Sequence, residues 1–236
     1  MSKPYQHLRA DRILATLDKL HARILARFPD GGLGQVCAEL IQTARFSARD
    51  AARLAQPSYN WRGVSLLLIV SGVAAQIAAF RFLRLDNVGW SAPELVQGLE
   101  AAVNLLILFG GAVWFTLTLE ERFKRRRALD ALHRLRSLAH VIDMHQLTKD
   151  PTVLLDTHKT SVSPERSMSR FELTRYLDYC SEMLALIGKL AALYGERMRD
   201  TVVIDAVNDI ENLTTGLGRK IWQKITIIGA LEERRT

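Results

Sequence analysis

The stretch VSLLLIVSGVAAQIAAF, Val64–Phe80, decides how the rest of the chain is read. Its seventeen residues carry no charge, and apolar side chains fall on every face of a helix rather than along one stripe. A second stretch, Ala101–Leu119 (AAVNLLILFGGAVWFTLTL), repeats this over nineteen residues. At 1.5 Å per residue the two reach roughly 25–28 Å, close to the hydrocarbon thickness of a bilayer. A helix that is apolar all round needs a large core or lipid around it. A chain of 236 residues leaves little room for two such helices in one core. Two membrane spans are therefore expected. Tyr59, Trp61 and Trp90 stand near their ends, where amphipathic rings prefer the interface. Arg62 precedes the first span, and Arg81 and Arg84 can snorkel, which lets that span continue to Leu85.

Lys and Arg set the direction. Residues 1–63 carry ten, residues 120–136 carry seven, and the connecting segment 81–100 carries two. Basic residues stay on the cytoplasmic side, so both termini are expected there with the short loop outside. In a bacterium this is the cytoplasmic (inner) membrane. The run Lys124, Arg125, Arg126, Arg127 then reads as a stop-transfer signal resting on anionic headgroups. A formal charge of +7 and a pI near 9.7 fit this lipid partner. No aromatic platform or reader motif accompanies the run, so nucleic acid is not the expected partner. Cys37 and Cys180 each sit in an apolar helical pattern, which points to reduced thiols rather than a disulfide framework. The segment MSKPYQHLRADRIL has no apolar h-region, so no cleavable signal peptide is expected.

The remainder repeats apolar residues at intervals of three and four, the signature of one-sided helices. Tyr5–Phe28 does so through Leu8, Ile13, Leu17, Leu20, Ile24 and Phe28; PDGGLG, Pro29 to Gly34, then breaks the chain with glycines suited to a helix end or turn. A second helix is expected over roughly Gln35–Gln56, ended by Pro57. Ser91 and Glu94 form a capping box, with Pro93 inside the first turn, that starts the second span. No proline interrupts residues 95–147, so that helix continues beyond the bilayer with Leu132, Leu135, Ala139 and Ile142 on one face. Ser169 and Glu172 form another capping box. It opens a helix with Leu173, Leu177, Cys180, Leu184, Ile187, Ala191 and Tyr194 in register. A turn near Arg199 and Asp200 leads to a return helix marked by Val203, Val207, Ile210, Thr214, Leu217, Ile221 and Ile228. These are the seams of an antiparallel, coiled-coil-like hairpin. The expected fold is all-α. Its parts are an N-terminal helical pair (1–57), a transmembrane hairpin (58–119), a cytoplasmic extension of the second span (120–150), a linker (151–168) and a C-terminal helical hairpin (169–236).

Chemistry is sparse. LAHVIDMHQLTKDP, Leu138 to Pro151, gathers two histidines and two aspartates, but His140 and His145 are five residues apart and do not share a face. A zinc pair on a helix wants a spacing of three or four. His140 with Asp143 fits, yet two ligands make no site, and His145 near a helix C-terminus is favourable through the macrodipole alone. The segment reads as a helix end. Asp18 with His21, and Asp130 with His133, faintly echo the paired motifs of di-iron bundles, for which Glu39, Glu182 or Glu211 would have to supply further carboxylates. In the spans, Gln76 and Asn104 are the notable polar residues. Amides at that depth bond across helices, within the hairpin or between protomers, or else line a water-accessible path. Ser71, Ala75 and Ala79, and Gly110 with Gly111, allow close helix approach.

Arg127…His133 and Arg134…His140 each resemble the Arg-x(4–6)-His element of the HEPN family, all-helical ribonucleases that use the pair at a dimer cleft. The plan of residues 57–147, a short membrane hairpin between cytoplasmic helices, resembles the two-span SLATT-type effectors of bacterial conflict systems. That resemblance implies an oligomeric membrane effector and carries no site residues. The expectation is a non-catalytic membrane scaffold or sensor without a cofactor. It acts through homo-oligomerisation or through a helical partner held by residues 169–228.

Overall fold

In a computed structural model of the chain, residues 7–54, 59–85, 92–149 and 168–233 are described. All regular structure among them is helical: α1 (Ala10–Arg27), α2 (Gly32–Leu54), α3 (Tyr59–Leu85), α4 (Ala92–Leu147), α5 (Arg170–Arg197) and α6 (Thr201–Glu233). The chain divides into two compact units. One gathers α1, α2, α4 from Arg127 onward, α5 and α6; the other holds α3 and α4 up to Arg126.

The first unit is a bundle whose core is the set of apolar stripes read from the sequence. Leu17, Leu20, Ile24, Leu40, Leu135, Ile142, Leu177, Ile187 and Ile221 are fully enclosed, and every seam residue named for the last two helices is buried. Burying such a side chain is worth about 1.5–3 kcal/mol. α5 is the central element. Besides its seam it buries Tyr176, Tyr179, Met183, Leu186, Leu190 and Leu193, because α1 and α2 pack on it as well as α6. This is a wider band than the two-stranded seam expected from the sequence, which needs only one stripe.

Local chemistry sets the ends. The Ser169 hydroxyl accepts from the Glu172 N–H while the Glu172 carboxylate accepts from the Ser169 N–H, so the capping box is formed. At the start of α6, Asp200 Oδ1 accepts from the N–H groups of Val202 and Val203. Two boundaries differ from expectation. α1 begins at Ala10 rather than Tyr5, since the Leu8 N–H is taken by the Glu196 carboxylate at 3.1 Å instead of a helical carbonyl. α2 begins at Gly32, ahead of Gln35, and its described part runs to Leu54. The break between α1 and α2 is therefore shorter than PDGGLG, and no described glycine has positive φ. Gly34 instead permits close approach, because a Cβ there would sit 2.9 Å from Leu25 Cδ2. The expected cap at Ser91 lies outside the described residues, as do Pro57 and residues 151–167 of the expected linker 151–168.

In the second unit α3 and α4 approach each other where Phe109 meets Gly72, and this contact marks their seam. The Phe109 ring lies against Gly72 so closely that any Cβ there would collide with it. On α3 the buried or half-buried positions are Ser65, Leu68, Gly72 and Gln76; on α4 they include Phe109, Val113, Thr116 and Glu120. Intervals of three, four and seven place each set on one helix face. Most other described side chains of Gly63–Ala78 and of residues 101–115 are apolar and exposed.

Candidate functional site

The largest chemical anomaly in the molecule is the outer surface of the second unit. Leu67 is 70% exposed, Val70 59%, Leu108 72% and Trp114 72%. Among the described residues one helical run, Val96–Leu147, is long and apolar enough to cross a membrane, and only 6% of its most apolar window is buried. A second apolar run, Gly63–Ala78, is shorter. The full first span expected at Val64–Phe80 thus rests on a shorter described stretch, the side chains of Ala79 and Phe80 lying outside the described residues. Apolar patches on soluble monomers rarely exceed a few hundred Å². Here they encircle two helices.

The basic run follows directly. Lys124 is half-buried and pairs with Glu120 at 2.8 Å, one turn back on the same helix; Arg125 is half-buried and Arg126 exposed. Arg127 turns to the bundle, where its Nε donates to Asp50 Oδ1 at 2.5 Å. The side chains of Trp61 and Arg62, and the whole of Trp90, lie outside the described residues.

Asp50 belongs to a polar cluster that sequence reasoning missed. It is 1% exposed, Ser47 lies one turn away on α2, and Tyr194 of α5 is fully buried beside them. Ser47 Oγ, Asp50 Oδ2 and the Tyr194 hydroxyl have no hydrogen-bond partner among the described residues. Burial pushes the Tyr194 phenol up to about 12. Asp50 adds to that rise; Ser47, Arg134 and Arg127 oppose it. In the sequence Ser47 and Asp50 look like ordinary polar positions. Their three-residue spacing in register with Ala44, Ala51 and Leu54 was the available signal.

The end of α4 is a second polar locus. His145 Nδ1 lies 3.3 Å from the Tyr176 hydroxyl. Lys224 Nζ donates to the Gln146 carbonyl at 2.9 Å and to its side-chain oxygen at 2.7 Å, so a lysine of α6 caps the C-terminus of α4. Asp143 accepts from Gln146 Nε2 at 2.5 Å. His133 and His140 are exposed. Among the described residues no group of three or more His, Cys, Asp or Glu side chains comes together as metal ligands. The carboxylates considered for a di-iron site are partly engaged elsewhere, Glu182 by Arg23 and Asp18 by Arg45. Of the two Arg-His pairs, Arg127 is held by Asp50 and Arg134 lies over the Phe46 ring at 4.6 Å. Cys37 and Cys180 are buried, and burial pushes their thiols up to about 11 and about 12. An open groove of about 610 Å³ runs between α5 and α6, lined in part by Lys189, Glu211, Arg219 and Trp222.

No protein-family model, curated protein or solved structure matches this sequence. The chemistry above therefore stands alone.

Proposed function

We propose that this chain is an integral membrane protein in which α3 and the first half of α4 form a two-span hairpin. The helical bundle works in the cytoplasm as a non-catalytic scaffold or sensor. The observation that carries this reading is the ring of exposed Leu, Val, Ile, Phe and Trp around both helices of the second unit. A core helix hides such residues, whereas lipid solvates them without cost. The asymmetry of Lys and Arg supports a cytoplasmic bundle, with Lys124 to Arg126 at anionic headgroups. The bundle supplies a rigid body rather than a reaction centre, with Arg127 holding Asp50 and Lys224 holding the end of α4. The α5–α6 hairpin remains the proposed face for a helical partner.

Membrane fractionation tests this reading. The chain should stay in the pellet through alkaline carbonate and enter solution only with detergent. Reporters fused to either terminus should be active only in the cytoplasm. Release by carbonate, or a periplasmic terminus, overturns it.

A second reading, an oligomeric pore-forming effector of the kind the SLATT resemblance implies, is favoured by one observation. Asn104 is exposed amid apolar neighbours, and a polar side chain at that depth can face water as well as protein. Toxicity or ion flux that depends on Asn104 would support it.

A further inference from the structure

We infer that a stripe on α4 centred on Asn104 is a docking surface for the same stripe of a second copy of this chain. The inference rests on the membrane reading above. Gln97, Ala101, Asn104, Leu108, Gly111 and Phe115 follow one another at alternating intervals of four and three, and all six are exposed. That alternation keeps a line of residues on one side of a helix that winds gently around a neighbour. The seam with α3 lies elsewhere. Phe109, which packs against Gly72, is five residues from Asn104 and so about 140° around the helix. The Asn104 amide is exposed and makes no hydrogen bond among the described residues.

Three features of the stripe point to a copy of itself rather than to lipid. An amide offers two donors and an acceptor, and hydrocarbon satisfies none of them. Two Asn104 side chains facing each other are mutually complementary, each donating to the other's carbonyl oxygen. Gly111, where a Cβ would meet no atom within 4 Å, lies two turns further along and lets a second backbone approach. Ala101, on the other side of Asn104, is also small. The flanking Leu108 and Phe115 then fill the space between the helices.

The experiment is oxidative crosslinking of the full chain in native membranes, with single cysteines placed along α4. Native Cys37 and Cys180 are buried, so the unsubstituted chain serves as background. Asn104→Cys and Gly111→Cys should give a dimer band. Leu99→Cys, which is 68% exposed but about 140° from Asn104, should not. In detergent, Asn104→Leu should weaken the dimer about 3- to 10-fold, and Asn104→Gln should retain it. Equal crosslinking at positions 99 and 104, or none at 104 in a chain that resists carbonate, overturns the inference and leaves the membrane reading standing. Ion flux that changes in Asn104→Leu without crosslinking at 104 also overturns it, in favour of a water-lined path. Release of the chain by carbonate removes the membrane reading and this surface with it.

Discussion

The two units of this molecule use the same residues to opposite ends. In the bundle Leu17, Leu20, Leu135 and Leu177 have no exposure; in the α3–α4 unit Leu66, Leu67, Leu106 and Leu108 are between 62% and 72% exposed. Helix propensity does not distinguish them, since Leu favours helix in both. What differs is the distribution of apolar residues around the helix axis. One-sided helices find their solvent in each other. Helices apolar on every side cannot do so with only two of them present, and need a surrounding medium. On the membrane reading proposed above, a buried leucine and an exposed one in this chain report on two different solvents, protein and lipid.

Truncation is the most direct way to break that contrast. Leu177→Ala removes atoms from the centre of the bundle and should cost about 2–5 kcal/mol, read by thermal or denaturant unfolding in detergent. Leu108→Ala should leave bundle stability unchanged, because it creates no cavity. Its counterpart Leu108→Arg should instead impair membrane insertion by about 2.5–3.5 kcal/mol, read by glycosylation or protease mapping of topology. If Leu108→Ala melts the bundle as strongly as Leu177→Ala, the two regions do not have separate solvents.

The contrast also explains what was legible in the sequence. The stripes from Leu173 to Tyr194 and from Val203 to Ile228 are buried as read, because a period of three and four maps directly onto one helix face. The helix end at Leu147 and the capping box at Ser169 were legible because they depend on residues adjacent in the chain. The Asp50–Arg127 pair was not: its partners are 77 positions apart, and each looks like a solvated charge until α2 and α4 are brought together. Lys224 reaching the end of α4 is the same case, 78 positions from Gln146. The start of α1 was misjudged because a carboxylate from α5, Glu196, takes the Leu8 N–H. No local pattern announces a distant hydrogen bond.

The Asp50–Arg127 pair sharpens the comparison at the point where α4 enters the bundle. Removing one partner of a buried pair leaves an uncompensated charge and typically costs about 3–5 kcal/mol. Arg127 is half-exposed, so Arg127→Ala should fall at the lower end of that range, measured by chemical denaturation. The double variant Asp50→Leu, Arg127→Leu should recover most of the loss, since two apolar residues leave no buried charge unpaired. A double variant less stable than Arg127→Ala would show that the pair itself, rather than the stranded carboxylate, governs stability.

Gly72 offers the matching probe of the second unit. Gly72→Leu places a side chain where the Phe109 ring lies, and overpacking of this kind costs about 1–3 kcal/mol. The hairpin should open or shift, which a cysteine pair across α3 and α4 would register as lost crosslinking. The bundle's unfolding curve should not move. A matching loss of bundle stability would mean that the two units fold as one.

The smallest effect lies at the start of α5. Ser169→Ala removes the hydroxyl that accepts from the Glu172 N–H and should cost about 1 kcal/mol of bundle stability. Glu172 adds a pH signature. Its carboxyl is held below its ordinary value of 4.5, first by the Ser169 backbone N–H and then by the Ser169 side chain. A depressed carboxyl stabilises the fold above its unfolded value and loses that contribution as pH falls through the folded value. Bundle stability should therefore decline in the acid range below about 4.5. Glu172→Gln, which keeps an acceptor but does not titrate, should flatten that part of the profile. In Ser169→Ala the decline should persist but shrink, because the backbone N–H still holds the carboxylate while the side chain no longer does. An unchanged acid limb in Glu172→Gln would assign the decline to other carboxylates, with the cap contributing through its hydroxyl alone.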